Sequence, residues 1–249
     1  MEGYFLTDRG KVRKTNEDAG GLFYNNSNQL LAVVADGMGG HRAGEVASNL
    51  AVEFVEAMWR ITEHFSTVEE AEKWMLELID TTNEEVYTHA RKNEAHQGMG
   101  TTIVAALLTD EFVTVGHVGD SRCYLWKVDS SFIQITSDHS LVNELIKTGQ
   151  ITPSDAEVHP RKNVLTKALG TEEVIKPDIQ TVEWGKTDCI LLCSDGLSNK
   201  VDDEELKTEL EQMESIERTA TTLLQLANDR GGEDNITLAI VRNEEGEIT

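Results

Sequence analysis

Four aspartates stand at the ends of apolar runs that read as strands. Three follow such a run and precede glycine or serine: Asp36-Gly37 after Leu-Ala-Val-Val-Ala, Asp120-Ser121 after Val-Gly-His-Val-Gly, and Asp195-Gly196 after Leu-Leu-Cys-Ser. The fourth, Asp234, stands directly before Asn-Ile-Thr-Leu-Ala-Ile-Val. Aspartate is a poor strand residue, and one alone at a strand end usually starts a turn. Four in this arrangement point further, because strands lying side by side would bring their carboxylates together. Like charges a few ångströms apart cannot all stay ionised without compensation. A hard divalent cation, magnesium or manganese, compensates them through all-oxygen ligands. No Cys/His pair has the spacing zinc requires. Gly37, without a side chain, would let its carbonyl approach an ion closely. Two such ions about 3.5–4 Å apart activate water for in-line attack on phosphorus.

A second constellation lies near the N-terminus. Arg9, Lys11, Arg13 and Lys14 come just before Asn16, Glu17 and Asp18. Arginine is the usual bidentate partner of phosphate. Arg13, set near the ions, would hold a substrate phosphate.

These residues need a scaffold. Strand-like runs lie at 30–35, 101–108, 112–118, 124–128, 132–135, 189–193 and 236–241. Apolar residues recur with helical period in three places: Val46 to Met58, Ala71 to Val86, and Ile216 to Ala227. Such stripes are core faces and carry no chemistry of their own. Strands joined by short turns, with the helices segregated, predict an α+β fold with antiparallel sheets. A doubly wound parallel sheet would need strict β-α alternation, which is missing. No repeat or linker divides the chain, so 1–249 is expected to be a single catalytic domain.

Charge narrows the function. The 249 residues hold 22 Lys+Arg against 45 Asp+Glu, a formal net charge of −23. The excess lies mainly in 61–110 and 171–249 and reads as solvated helix faces. It argues against nucleic acid or an anionic membrane as partner, since both need Lys/Arg to neutralise phosphate. No basic region followed by an apolar stretch opens the chain, so no signal peptide is expected. No apolar run approaches the ~18 residues of a membrane span. Cys189 and Cys193 sit four residues apart in a strand-like run, a span of about 13 Å. That exceeds the roughly 7 Å limit for a disulfide. With Cys123 as the third cysteine, a reducing cytoplasm is the expected location.

Seven motifs in order give the chain a resemblance to a known family. They are T-D-x-G-x-V-R-x-x-N-E-D at 7–18, A-D-G-M-G-G-H at 35–41, G-M-G-T-T at 98–102, G-D-S-R at 119–122, D-H-S at 138–140, C-S-D-G-L at 193–197 and D-N-I-T at 234–237. Together they resemble the type 2C metal-dependent Ser/Thr protein phosphatases, the PPM family, of the compact bacterial kind. The resemblance implies a four-layer α-β-β-α sandwich of two antiparallel sheets flanked by helices. It implies hydrolysis of phosphoserine and phosphothreonine by direct attack of a hydroxide bridging two metals, with two to three manganese or magnesium ions. By the same resemblance Asp36 bridges two ions and Gly37 gives one its carbonyl. Asp195 and Asp234 complete the other, and Asp120 with Asp195 holds a weaker third. Arg13 binds the phosphate, while Glu17 and Asp18 order metal-bound waters. The stretch at about 140–170 matches a flap beside the site. The partners implied are phosphorylated proteins, including a cognate bacterial Ser/Thr kinase, acted on by a monomer.

The chain departs from the larger eukaryotic relatives at two points. They carry histidine directly after the Asp-Gly, as a candidate general acid. Met38 stands there here, and His41, three residues on, is the candidate substitute, with a cap or solvent-facing role for it and a proton from metal-bound water as the open alternatives. Asn199 replaces an aspartate near the third ion. Two rival functions remain open: a phosphoprotein-binding pseudophosphatase, which would lack a ligand, and another two-metal phosphoester hydrolase, acting on nucleic acid.

Overall fold

The structure, a computed structural model, describes residues 1–39 and 43–244. In chain order its strands are β1 (Glu2–Asp8), β2 (Asp18–Tyr24), β3 (Leu30–Met38), β4 (Gly100–Thr101), β5 (Ile103–Leu108), β6 (Phe112–Val118), β7 (Arg122–Trp126), β8 (Phe132–Gln134), β9 (Asp178–Glu183), β10 (Cys189–Cys193) and β11 (Ile236–Arg242). Its helices are α1 (Ala43–Arg60), α2 (Val68–Lys92), α3 (Leu141–Lys147), α4 (Pro153–Glu157), α5 (Asp195–Ser198), α6 (Asp203–Glu211) and α7 (Ile216–Asp229). One sheet runs β1-β11-β10-β7-β8; the other runs β2-β3-β5-β6-β9, with β4 paired to the end of β3. Every pairing is antiparallel.

A strand that is apolar at every position is covered on both faces. In β3, Leu30, Ala32 and Val34 enter the core between the sheets, with Val104, Ala106, Ile190, Leu192, Ala239 and Val241. Leu31, Val33 and Ala35 face the other way, onto Ala47, Val55 and Trp59 of α1 and Met75 and Ile79 of α2. On the second sheet Leu191, Cys193, Leu238 and Ile240 meet Leu206 and Leu210 of α6 and Leu223 and Ala227 of α7. The result is the expected sandwich: helices, sheet, sheet, helices. The acidic excess is where solvated faces put it, as on α2, where Glu69, Glu70, Glu77, Glu84 and Glu85 are exposed.

The alternation has a direct consequence for the chemistry. Asp36 has the parity of Leu30, Ala32 and Val34, so its side chain continues the inner face of β3. Ser194 and Thr237 likewise extend the inner faces of β10 and β11. Polar groups therefore gather at one end of an otherwise apolar layer.

Three strands escaped the sequence reading. β1, β2 and β9 each end a sheet. They are partly exposed, and β2 contains the pair Gly20-Gly21. Edge strands covered on one side lack the continuous apolar signature. The segment after Ser140 folds as two short helices, α3 and α4, and returns through single bridges Ser140–Leu165 and Thr101–Leu169.

Trp59 ties α1 to this frame. It is fully buried, donates from Nε1 to the Phe23 carbonyl at 2.9 Å and stacks on Phe65 with centroids 5.9 Å apart. Trp59→Ala should destabilise the protein by about 3–5 kcal/mol, read as a lowered urea midpoint. Trp59→Phe should fall between the two, since it keeps most of the volume and loses the hydrogen bond.

Candidate metal centre

Asp18 opens β2 and sits opposite Asp36 in the antiparallel ladder, so two carboxylates face each other across adjacent strands. The backbone of Asp36 is held on both sides: its N–H donates to Thr102 Oγ1 at 2.9 Å, and its carbonyl accepts from Thr102 N at 2.8 Å and Thr101 Oγ1 at 2.9 Å. Thr102 Oγ1 in turn meets Ser121 Oγ at 2.7 Å, beside Asp120. Asp195 begins α5. Its Oδ2 accepts from Asn199 Nδ2 at 3.0 Å, so the asparagine that departs from the larger relatives serves here as a neutral donor.

The N-terminal loop is pinned to the far end of the chain. Buried Asn235 accepts from Glu17 N at 2.7 Å and donates to the carbonyls of Arg9 and Thr15 at 2.8 and 3.0 Å. Arg13 thereby reaches Asp234, with its guanidinium 2.8 Å from Oδ2. Gly37 N–H donates to the Glu17 carbonyl at 3.0 Å. A Cβ at Gly37 would collide with the carbonyl oxygens of Gly44 and Glu17, which gives this glycine a packing reason separate from any ion. The Glu17 side chain lies toward α1, near Gly44, and is swayed by Arg13, Asp234 and Glu45.

Burial, then mutual repulsion, governs these carboxyls. Burial pushes Asp36 well above the usual carboxylate range, and Asp18, Asp195, Asp120 and Asp234 each add to the rise. Asp18 is pushed up to about 7 by burial, with Asp195 and Asp234 adding to it against the hydrogen bonds from Ser194 and Thr237. Asp120 also rises to about 7, through burial and the charges of Asp195 and Asp138. Asp195 is raised by burial and by Asp234. The structure thus brings together all five aspartates expected to converge, with Arg13 beside them. His41 lies outside the described residues.

The set fits a hard divalent ion. Asp18 Oδ1 and Asp195 Oδ1 are buried without a hydrogen-bond partner, although neutral donors serve the other oxygen of each group. Ser194 Oγ supplies Asp18 Oδ2 at 2.8 Å and accepts from Thr237 N at 3.0 Å. Unpartnered acceptors inside an acidic cluster want a cation more than another donor. Thr102, Ser121, Ser194 and Asn235, which are not among the candidates drawn from the sequence, hold these groups in place. Their signal was adjacency, since each directly follows or precedes a motif glycine, threonine or aspartate. A separate group, His117, His139 and Asp178, has donor atoms within 4.8 Å of one another.

Segment 140–170 forms one wall of a cleft of about 760 Å³, with Lys162 and Asn163 on that wall and Asp120 and Asp195 across from it.

A raised carboxyl pKa has a definite sign. It stabilises the folded state below the unfolded value and loses that contribution as pH climbs through the folded value. In chelator, stability should therefore fall as pH rises from the ordinary 3.8 through about 7, the range set by Asp18 and Asp120. Thermal melts from pH 5 to 8 check this. Asp18→Asn, which can still accept from Ser194, should be the more stable protein in chelator at pH 8, by at least about 1 kcal/mol.

Comparison with known proteins agrees with this geometry. Residues 9–234 match the family described as protein phosphatase 2C. The serine/threonine phosphatase stp of Listeria welshimeri is 45% identical over 241 residues, 97% of this chain and 95% of that protein. The crystal structure of serine/threonine phosphatase Stp1 from Staphylococcus aureus superposes with a TM-score of 0.92 at 42% identity, covering 98% of this chain and 95% of that one. The catalytic domain of the phosphatase PstP, solved with two manganese ions, gives 0.81 at 34% identity, with 96% of each chain covered. A converging set of aspartates with an arginine at its rim, on a two-sheet sandwich matched over nearly its whole length, places this chain in the protein phosphatase 2C family.

Proposed function

We propose that this chain hydrolyses phosphoserine and phosphothreonine in proteins, with manganese or magnesium held by the carboxylate cluster. One observation carries the reading: four strand-end aspartates and Asp18 converge at one end of the inter-sheet layer, and Arg13 reaches Asp234 at their rim. Asp36, Gly37, Asp195 and Asp234 are the residues that would hold two ions, and Asp120 with Asp195 a third. The ions would supply an activated water and neutralise charge on the phosphoryl oxygens.

The chain's own groups divide the remaining work. Arg13 is half-exposed, with 48% of its side chain accessible, so it can leave Asp234 to meet a substrate phosphate. Its planar fork suits two phosphoryl oxygens at once. Asp18 and Glu17 sit at the back and side of the cluster, where acceptor oxygens orient water. Asn199 donates to Asp195 and leaves its other oxygen free for an ion. His41 is the candidate to protonate the departing serine or threonine oxygen. Segment 140–170, as a flap within a single domain, would frame the phosphoprotein.

The reading extends to a cognate Ser/Thr kinase among the substrates and to a monomer in the cytoplasm. No helix among the described residues is long and apolar enough to cross a membrane.

Phosphate release from phosphothreonine, phosphoserine and phosphotyrosine peptides, with manganese, magnesium or calcium, tests the activity. Release from the first two with manganese is expected. Binding without release would mark a pseudophosphatase, and preferred cleavage of a nucleic acid the other rival. Asp36→Asn should lower kcat by at least about 100-fold. Arg13→Ala should cost mainly kcat/KM, about 10- to 100-fold. His41→Ala should keep manganese binding and slow phosphopeptide turnover more than turnover of an aryl phosphate, whose leaving group needs no proton. Equal effects on both substrates would remove His41 from proton transfer.

A further inference from the structure

His139 lies outside the carboxylate cluster, yet it closes on the turn that carries Asp120 from two directions. Gly119, the residue before Asp120, has φ +108, and a Cβ there would press on Thr102 at 2.5–2.6 Å. The Gly119 N–H donates to His139 Nδ1 at 3.1 Å, and the Gly119 carbonyl accepts from His139 N at 2.9 Å. The backbone polar groups of this glycine are thus both satisfied by one residue. The His139 carbonyl accepts from Thr166 N at 2.8 Å, so the same residue also anchors the return of segment 140–170.

The contacts decide the tautomer. Nδ1 accepts from a peptide N–H, so a neutral ring carries its proton on Nε2. Nε2 lies 3.3 Å from Asp178 Oδ2, an acceptor for that proton. The other oxygen of Asp178 is 3.4 Å from Lys167 Nζ, which also donates to the Lys176 carbonyl at 3.2 Å. The ring is 3% exposed and stacks on His117, with centroids 4.7 Å apart and planes within 7°. His117 Nε2 lies 3.1 Å from the Ser137 carbonyl and donates to it.

His117, His139 and Asp178 are close enough to suggest an ion of their own. The hydrogen bonding argues otherwise. With Gly119 on Nδ1 and a proton on Nε2, His139 has no lone pair to give. Lys167 already brings a positive charge to within 3.3 Å of the ring nitrogen. The group works as a lock on one tautomer.

We propose that His139 is a positioning residue for Asp120: fixed as the Nε2–H tautomer by the Gly119 N–H on Nδ1 and the Asp178 acceptor on Nε2, it clamps the Gly119 peptide and so sets the aim of the Asp120 carboxylate. The inference rests on the reading of Asp120 as a carboxylate that holds an ion. Groups behind a ligand typically change metal affinity by about 10- to 100-fold when removed.

Calorimetric titration of the intact protein with manganese tests it, using two substitutions that differ in which nitrogen they replace. His139→Asn puts an amide oxygen near the place of Nδ1 and keeps an acceptor for Gly119. His139→Gln puts its polar atoms near Nε2 and leaves Gly119 N–H unpaired. Asp120→Asn and His139→Gln should both weaken the weakest manganese site about 10-fold, while His139→Asn stays near the wild type. Wild-type binding by His139→Gln, with weakening by Asp120→Asn, overturns the proposal. Wild-type binding by Asp120→Asn removes Asp120 from the ion's ligands, and the proposal with it. Nitrogen NMR of the wild-type protein labelled at histidine gives a reading that needs no variant to fold. Nδ1 of His139 should be unprotonated and Nε2 protonated, and the reverse assignment overturns the proposal.

Discussion

Repulsion among carboxylates is the constraint around which this molecule is built. Burial disfavours each charged form, and each neighbour disfavours it again. Asp18 and Asp36 face one another across a ladder, and Asp120, Asp195 and Asp234 add to the same field. A fold left to relax would spread such groups apart. Here they cannot spread, because each is fixed to the end of a strand or helix whose remaining residues fill one of three apolar cores. The hydrophobic layers supply the force, and the strained end of the middle layer is where the chemistry sits.

The holding is done by neutral donors. Ser194, Asn199, Thr102 and Asn235 aim the carboxylates or their backbones without cancelling charge. Lysines in those places would quench the field that draws an ion. Among the described residues the charged donors nearby are Arg13, at the open rim on a partner that is itself about a third exposed, and Arg122, which lowers the pKa of Asp120 while bound to Asp138.

Most of this was legible in the sequence for physical reasons. Strands covered on both faces write continuous apolar runs, so β3, β5, β6, β10 and β11 were plain, and so were the aspartates ending or preceding them. The helix stripes of α1, α2 and α7 followed the same logic of burial. What stayed hidden was held by single polar contacts or by edges. β2, with Gly20 and Gly21, carries Asp18 but no apolar signature. The partnership of Asn235 with the loop before Glu17 joins residues 218 positions apart, and no local pattern records it. The Asp-Gly pair signals a carbonyl near an ion, whereas the packing of Gly37 against Gly44 joins two elements and leaves no local pattern. The clasp between His139 and Gly119 was equally silent, since it depends on a backbone N–H and a ring tautomer.

The pairing of β1 with β11 makes assembly of the site depend on two widely separated parts of the described chain. Thr7 lies opposite Thr237 and Asp8 opposite Ile236, so the first strand and the last are neighbours in one sheet. Asp234 stands at the entry to that last strand. A ribosome delivers Asp18, Asp36 and Asp120 long before it delivers Asp195 and Asp234. The growing chain therefore carries an incomplete and widely separated acidic set, a poor trap for stray divalent ions. Closure waits for contacts of very high sequence separation, the kind that form late and slowly. The acidic set is complete only once β11 has paired with β1, so the site depends on one of the most distant contacts in the described chain.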